Sequence, residues 1–494
     1  MAKFSDFSVL NKEQSLDNPD WESMRQLGRK MVDDMVEMMQ NLDQKPVWQP
    51  IPQETKNFLK SDLPQAGSDP QHIYAQFLQH ILPYNKGNIH PRFFSWVQGN
   101  GTLLGAFADF LASSMNPNVA IGEHSAMYVE NEVLDWSKEI MGYPKSASGI
   151  LLSGGSMANI TGLVVARNSF ENLNVRKNGL QKIAAPMVFY CSSETHACMQ
   201  KAAEVMGLGT DGVRKVAVDA NRKIRIDVLE EMIVSDRKNG LLPFAVVGNA
   251  GIVNTGAIDD LAQIAEICQR HKLWFHIDGA YGALAKITDE YSQELKAIEL
   301  ADSVAFDFHK WFYVNYEVGC LLVRDAKKHR AAFAIEPNYL LAHDRGLASG
   351  PDSFNNYGME LSRGFKALKI WMSLKEHGIE KYKKMIAQNI AQACYLADLV
   401  KGEKDLQLMS DATLSIVCYR FNAGNLDLEK LNALNKELVI TLQERGIAAP
   451  SYTMLDGHYV IRVCNTNHRT KKNDLEVLVK ESVKIGREIL EGGS

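Results

Sequence analysis

The sequence predicts an α/β protein, with a mostly parallel seven-stranded sheet in a large domain and a smaller C-terminal α+β domain. Three observations carry this. Seven short apolar runs recur at residues 149–152, 187–191, 214–218, 244–247, 274–277, 303–306 and 319–323. Helix-length stretches such as 156–170 and 259–271 separate them, the pattern of strand–helix–strand units whose sheet is covered on both faces. The chain has 494 residues, enough for one large doubly wound domain with attachments.

In chain order, residues 20–43 predict a helix. Leu27, Met31, Met35, Met38, Met39 and Leu42 recur at three- and four-residue steps, with Asp33, Asp34 and Glu37 opposite. Pro46, Pro50, Pro52, Pro64 and Pro70 make 43–70 a linker or an extended wrap. The stretch 334–356 has glycines, charges and few apolar repeats, as functional loops or disordered segments do. A helix is expected at 363–377. Beyond 380 come a helix, strands at 414–421 and 459–463, and a closing helix from Asp474. The expected divisions are an N-terminal segment 1–94, a large domain 95–378 and a small domain 379–494.

Composition excludes several classes. The net charge of −5 argues against a protein that binds nucleic acid by neutralising phosphates. No apolar run approaches the roughly 18–20 residues of a membrane helix. The first residues contain no secretory apolar core. Seven scattered cysteines without a C-x-x-C pair suggest reduced thiols in the cytoplasm and no structural metal.

In doubly wound sheets ligands sit at the carboxyl ends of strands, and four strand ends carry chemistry. Ser153, Gly154, Gly155 and Ser156 open a helix, where bare backbone amides favour a phosphate. A serine-capped tight turn fits that segment as well. Asp278 ends an apolar run and needs a cationic partner such as a protonated pyridine nitrogen, or simply caps the next turn. Lys310, in Asp307-Phe308-His309-Lys310-Trp311, is flanked by aromatics. Desolvation there would lower its pKa and free the amine for Schiff-base chemistry, unless the side chain snorkels to solvent. His196 suits stacking on a planar cofactor or proton transfer, or an ordinary hydrogen-bonded role. Together the four supply different needs of one cofactor.

These motifs (G-G-S, S-S-E-T-H, H-I-D-G-A-Y and D-F-H-K-W, in this order) resemble those of the pyridoxal-phosphate-dependent group II amino-acid decarboxylases. The segments H-P-R-F-F at 90–94 and L-S-R at 361–363 extend the resemblance over more than half the chain. It implies fold type I, the aspartate-aminotransferase architecture, with pyridoxal 5'-phosphate as cofactor. It also implies a homodimer with active sites at the subunit interface and the N-terminal segment wrapped over the partner. Lys310 is expected to carry the cofactor and Asp278 to pair with its pyridine nitrogen. Ala280 and His196 would flank its ring, with Gly155, Ser156 and His309 at its phosphate. In the family a mobile loop carries a tyrosine in a P-x-Y context, matched here by Tyr339, the expected proton donor to Cα. Two positions depart from the family. Asp307 stands where many members have asparagine, and a carboxylate near the phosphate repels it unless protonated or turned away. Ile252 stands where many have threonine.

The expected reaction is decarboxylation of an L-amino acid to its amine. An aromatic substrate (tyrosine, DOPA or tryptophan) is favoured, against Phe94 and Trp96 and with Arg363 nearby. The alternatives are a non-aromatic substrate such as glutamate, 2,4-diaminobutyrate, histidine or serine, a lyase or aminotransferase of the same fold, and a catalytically silent scaffold.

Overall fold

The computed structural model describes residues 13–170, 173–335 and 343–492. The chain forms two compact units, one of residues 1–45 and 50–85, the other of 46–49 and 86–494. In the first, helix Trp21–Gln40 starts at Asp20, whose side chain accepts from Ser23 N. Leu27 is buried, while Met35, Met38 and Met39 are half-buried. Asp34, expected on the polar face, accepts from the Tyr74 hydroxyl at 2.8 Å. Within the proline-rich stretch a short helix forms at Gln53–Phe58.

The strands of the second unit are β1 (Phe93–Phe94), β2 (Ser148–Leu152), β3 (Met187–Ser192), β4 (Val213–Val216), β5 (Leu242–Asn249), β6 (Trp274–Asp278), β7 (Ser303–Asp307), β8 (Gly319–Val323), β9 (Leu406–Thr413), β10 (Ile416–Phe421), β11 (Ala449–Leu455) and β12 (His458–Cys464). The large sheet has seven strands in the order β2-β8-β7-β6-β5-β3-β4. Six run in one direction, and β8 runs antiparallel to β2 and β7. All seven apolar runs read from the sequence are these strands.

Alternation explains why the strands read as continuous apolar runs. Val304 and Phe306 enter one core and Ala305 the other; Val246 and Val247 divide the same way. A strand covered on both faces has no position left for a polar residue until its end. The polar and charged ends, Ser192, Asn249, Asp278 and Asp307, therefore gather along one edge.

The second sheet has the order β1-β11-β12-β10-β9, with β1 parallel to β11. Helices Leu428–Glu444 and Lys472–Gly492 cover it, and Phe94 lies in their shared core. Strands β9 and β11 escape the sequence pattern. β9 reads LQLMSDAT, lies at the sheet edge and is half-exposed, so no apolar run marks it. Helix Ala367–Gly402 is interrupted at Gly378, whose φ of +66° lies in the left-handed region. Among the described residues no helix is long and apolar enough to cross a membrane.

Candidate active site

Lys310 lies in the turn after β7, and its side chain folds back so that Nζ sits 2.8 Å from Asp307 Oδ2. This reverses the expectation of a depressed lysine. Burial pulls its pKa down, but the charge of Asp307, with Asp278 and Tyr316 adding to it, outweighs burial, and the net shift is upward. Lys310 therefore rests as an ammonium.

Asp278 closes β6 and is 8% exposed. Its Oδ1 accepts from Ala280 N at 3.2 Å, and it makes no ion pair among the described residues. Such a carboxylate is short of a cationic donor. Helix Gly155–Asn168 begins at Gly154 with no side chain capping its first amides. A Cβ on Gly155 would come within 2.8 Å of both Ala280 Cβ and Asp307 Oδ2, so only glycine keeps this approach open. Ala280 thus lies beside the bare helix terminus. Ser156, next in the helix, is exposed.

His196 is exposed, unlike a core histidine. Its Nδ1 accepts from Cys198 N at 3.2 Å. The turn before it is anchored from beneath by Asn249, whose amide donates to Thr195 Oγ1 at 2.9 Å and to Asp259 Oδ2 at 2.7 Å. His309 is buried, 3.8 Å from Asp307 Oδ2 through Nε2. Its ring lies against Tyr316 with centroids 4.4 Å apart, and burial lowers its pKa. Asn249 and Tyr316 were missed by sequence reasoning. Asn249 had a signal, an amide closing a buried apolar run, but Tyr316 had none.

Trp96 is half-exposed on the segment leading to the Lys310 turn. A Cβ on Gly99, three residues later, would collide with the carbonyls of His309 and Lys310. Two expected substrate contacts point elsewhere. Phe94 has no exposed surface and packs within the core of the second sheet, because β1 is paired with β11 there. Arg363 is buried and paired with Glu130, donating also to the carbonyls of Val119 and Leu151. Its guanidinium is consumed by the fold. Ile252 is buried, with its amide donating to Ala257 O, and its side chain has no polar atom to offer. Tyr339 lies outside the described residues.

The edge fits pyridoxal phosphate on three counts. Asp278 is a largely buried carboxylate with no ion pair among the described residues, the Gly155 terminus is a bare anion cradle that a Cβ would fill, and Lys310 lies nearby with a primary amine.

Comparison with known proteins agrees with this chemistry. The model of the pyridoxal-dependent decarboxylase conserved domain matches residues 52–422. The aromatic-L-amino-acid decarboxylase of Bacillus atrophaeus is 34% identical over 464 residues, covering 93% of this chain and 95% of that protein. The crystal structure of Oryza sativa TDC with PLP and tryptamine shares the fold, with a TM-score of 0.87 at 23% identity, covering 96% of this chain and all of that one. The glutamate decarboxylase domain of a Vibrio parahaemolyticus diaminobutyrate-pyruvate transaminase and L-2,4-diaminobutyrate decarboxylase gives a TM-score of 0.83 at 26% identity, covering 97% of each chain. With most of its length matched in this way, the chain belongs to the pyridoxal-dependent decarboxylase family, and it is an enzyme that decarboxylates an amino acid with pyridoxal phosphate as its cofactor.

Proposed function

We propose that the substrate is an aromatic L-amino acid, released as its amine and CO₂, and that Lys310, Asp278, His196, Gly155, Ser156, Ala280, His309 and Tyr339 form the working site. The observation that carries the site assignment is the meeting at one sheet edge of Lys310, Asp278, which has no ion pair among the described residues, and a bare helix terminus. The substrate class is supported by relatives named aromatic-L-amino-acid, tryptophan and tyrosine decarboxylases.

When bound, pyridoxal phosphate supplies the electron sink that stabilises negative charge at the substrate Cα as CO₂ leaves. Asp278 holds a proton at the pyridine nitrogen, which keeps that sink effective. Lys310 Nζ carries the cofactor between turnovers. The amides of Gly155 and Ser156 bind its phosphate, with His309 behind them. Ala280 and His196 would hold its ring from the two faces. Tyr339 gives the proton to Cα, a role supported by its P-x-Y context and the family resemblance alone.

The active form in this reading is a homodimer, with the N-terminal segment ahead of β1 wrapped over the partner subunit; the expected boundary at 94 moves back because Phe93–Phe94 pair with β11 of their own chain. Helix Leu103–Met115 supports it by exposing Phe110, Leu111 and Met115, an apolar face that favours burial. The thiols of all seven cysteines, six of them buried, suit a reducing cytoplasm.

The test is CO₂ release from the cofactor-loaded protein against the twenty amino acids, DOPA and 2,4-diaminobutyrate, with products identified by mass spectrometry. CO₂ and the matching amine from tyrosine, DOPA or tryptophan is the expected result. Turnover of only small or charged amino acids would overturn the aromatic assignment.

A further inference from the structure

Asp307 is a buried carboxylate at a point where decarboxylation requires none. It ends β7 and is 1% exposed. Its Oδ2 lies 2.8 Å from Lys310 Nζ and 3.8 Å from His309 Nε2. Above it runs the bare helix terminus, where a Cβ on Gly155 would come within 2.8 Å of Oδ2 and one on Gly154 within 3.8 Å of Oδ1. Beside it is β8, where a Cβ on Gly319 would come within 2.7 Å of Oδ1. Neither carboxylate oxygen has an aligned hydrogen-bond partner among the described residues. The Lys310 ammonium is therefore the main compensation for this buried charge.

We propose that Asp307 makes cofactor capture proton-linked: it holds Lys310 as an ammonium in the empty protein, then accepts that proton as the cofactor's phosphate takes the adjoining helix terminus. This rests on the reading that Lys310 carries pyridoxal phosphate and that Gly155 and Ser156 hold its phosphate.

The step balances. One proton passes from Lys310 Nζ to Asp307 Oδ2, leaving a neutral amine and a neutral carboxyl group. The amine nitrogen bonds to the aldehyde carbon of the cofactor. Its two remaining protons leave with the aldehyde oxygen as water, and a carbon–nitrogen double bond replaces the carbon–oxygen one. Asp307 then faces the phosphate as a hydrogen-bond donor instead of a like charge. An asparagine at this position would face it without any proton movement.

The groups around Asp307 leave few other takers for the proton. Lys310 and His309 are on its own turn, Tyr316 follows them, Cys320 lies on β8, and Asp278 lies across Lys310 at the end of β6. The helix above brings no acidic or basic side chain to its first turn. Among the described residues the competing acceptors are His309, whose charged form burial disfavours, and Asp278, which the proposed reading assigns to the pyridine nitrogen.

The sign of the pH effect follows. In the wild type one proton stays on the Lys310–Asp307 pair before and after capture, so capture neither releases nor takes up a proton and the dissociation constant changes little with pH while Asp307 keeps that proton. In Asp307→Asn the proton on Lys310 has no acceptor and leaves to solvent on capture, so capture becomes easier as pH rises. The ratio of dissociation constants, wild type over Asp307→Asn, therefore increases with pH. For pyridoxal, which has no phosphate, nothing makes Asp307 keep the proton, both proteins release one on capture, and the ratio stays flat.

The experiment titrates the cofactor-stripped full chain with pyridoxal 5'-phosphate and with pyridoxal between about pH 6 and about pH 8.5, followed by absorbance. An increase in the ratio of about tenfold or more for the phosphate form alone is expected. A pH-independent ratio would overturn the proposal, since a merely structural Asp307 shifts affinity by a constant factor. So would an equal increase for both ligands. Asp307→Ser provides the same comparison if Asp307→Asn does not fold. Borohydride reduction and peptide mapping separate the two levels. Cofactor on Lys310 with a flat ratio removes only the proton link. Cofactor on another lysine removes the underlying reading and the proposal with it.

Discussion

Replacing Arg363 by methionine decides whether this residue serves the substrate or the fold. Arg363 is 3% exposed and Glu130 wholly buried. Besides Glu130, the guanidinium donates to Val119 O at 2.6 Å and Leu151 O at 2.8 Å, and it lies 4.8 Å from the Phe354 ring. The substitution keeps the aliphatic volume and removes the cation. Glu130 is left with a 3.4 Å contact from Leu151 N. Breaking a buried pair from one side costs about 3–5 kcal/mol. Burial already pushes the Glu130 carboxyl above its usual range, against the pull of Arg363 and Leu151 N, so removing Arg363 pushes it further. A carboxyl whose folded pKa exceeds its unfolded one stabilises at low pH and loses that contribution as pH rises through the two values. The deficit of the variant should therefore grow from about pH 5 to about pH 8. Urea unfolding of the cofactor-loaded protein at both pH values measures it, and Glu130→Gln/Arg363→Met should recover most of the loss. Steady-state kinetics on the same variant should leave KM within about twofold. An unchanged urea midpoint with a KM raised about tenfold or more would put Arg363 at the substrate and refute this reasoning.

Other perturbations act on the cofactor and the proton. Gly155→Ala inserts a methyl group 2.8 Å from Ala280 Cβ and from Asp307 Oδ2, and should weaken pyridoxal phosphate binding about tenfold or more in an equilibrium titration while the fold melts normally. Asp278→Asn should keep the cofactor on Lys310, seen by borohydride trapping, but lower kcat by about 10²–10³. Tyr339→Phe should cut amine formation by about 10² or more in a product assay, and amine at the normal rate would remove the proposed donor.

The seven strands of the large sheet were legible because burial on both faces leaves a strand only one vocabulary. The polar residue that stops each run then marks the edge where ligands bind, which is how Asp278 and Lys310 were found. β9 was illegible for the converse reason: a half-exposed edge strand such as LQLMSDAT is not distinguished from a loop. Proximity along the chain misled at Phe94 and Arg363. Both sit within family-like segments, yet a motif does not say which way a side chain points. Pairing of β1 with β11 turns Phe94 into the C-terminal core, and Glu130, far away in sequence, claims Arg363. The charge of Lys310 was misjudged because aromatic neighbours were weighed and the carboxylate three residues earlier was not. The turn that closes β7 brings those two charges together.

Trp96 ties the small sheet to the segment that packs on the Lys310 turn. Its φ of +53° is a conformation a bulky residue adopts only under constraint. The constraint is visible on both sides. Trp96 N donates to Ser451 Oγ at 3.2 Å, and Trp96 O accepts from Arg462 Nη1 at 2.9 Å. Arg462 is itself buried and donates to Asn254 O, so the loop after β5, β11 and Trp96 are tied to one guanidinium. Two residues on, Gln98 O accepts from Thr466 Oγ1 at 2.7 Å, which steers Gly99 onto the carbonyls of the Lys310 turn. With the backbone held this way, changing the side chain alters ring size without re-aiming the segment. Trp96→Ala should therefore shift the kcat/KM ratio between tryptophan and a smaller amino acid by about 10–10², the worth of one lost apolar wall, and leave the dissociation constant of pyridoxal phosphate unchanged. The direction of the shift tells the wall's function: a loss for tryptophan makes Trp96 a stacking surface, a gain makes it a plug. An unchanged ratio would place the substrate side chain away from this segment altogether, and the small sheet would then have no part in selectivity.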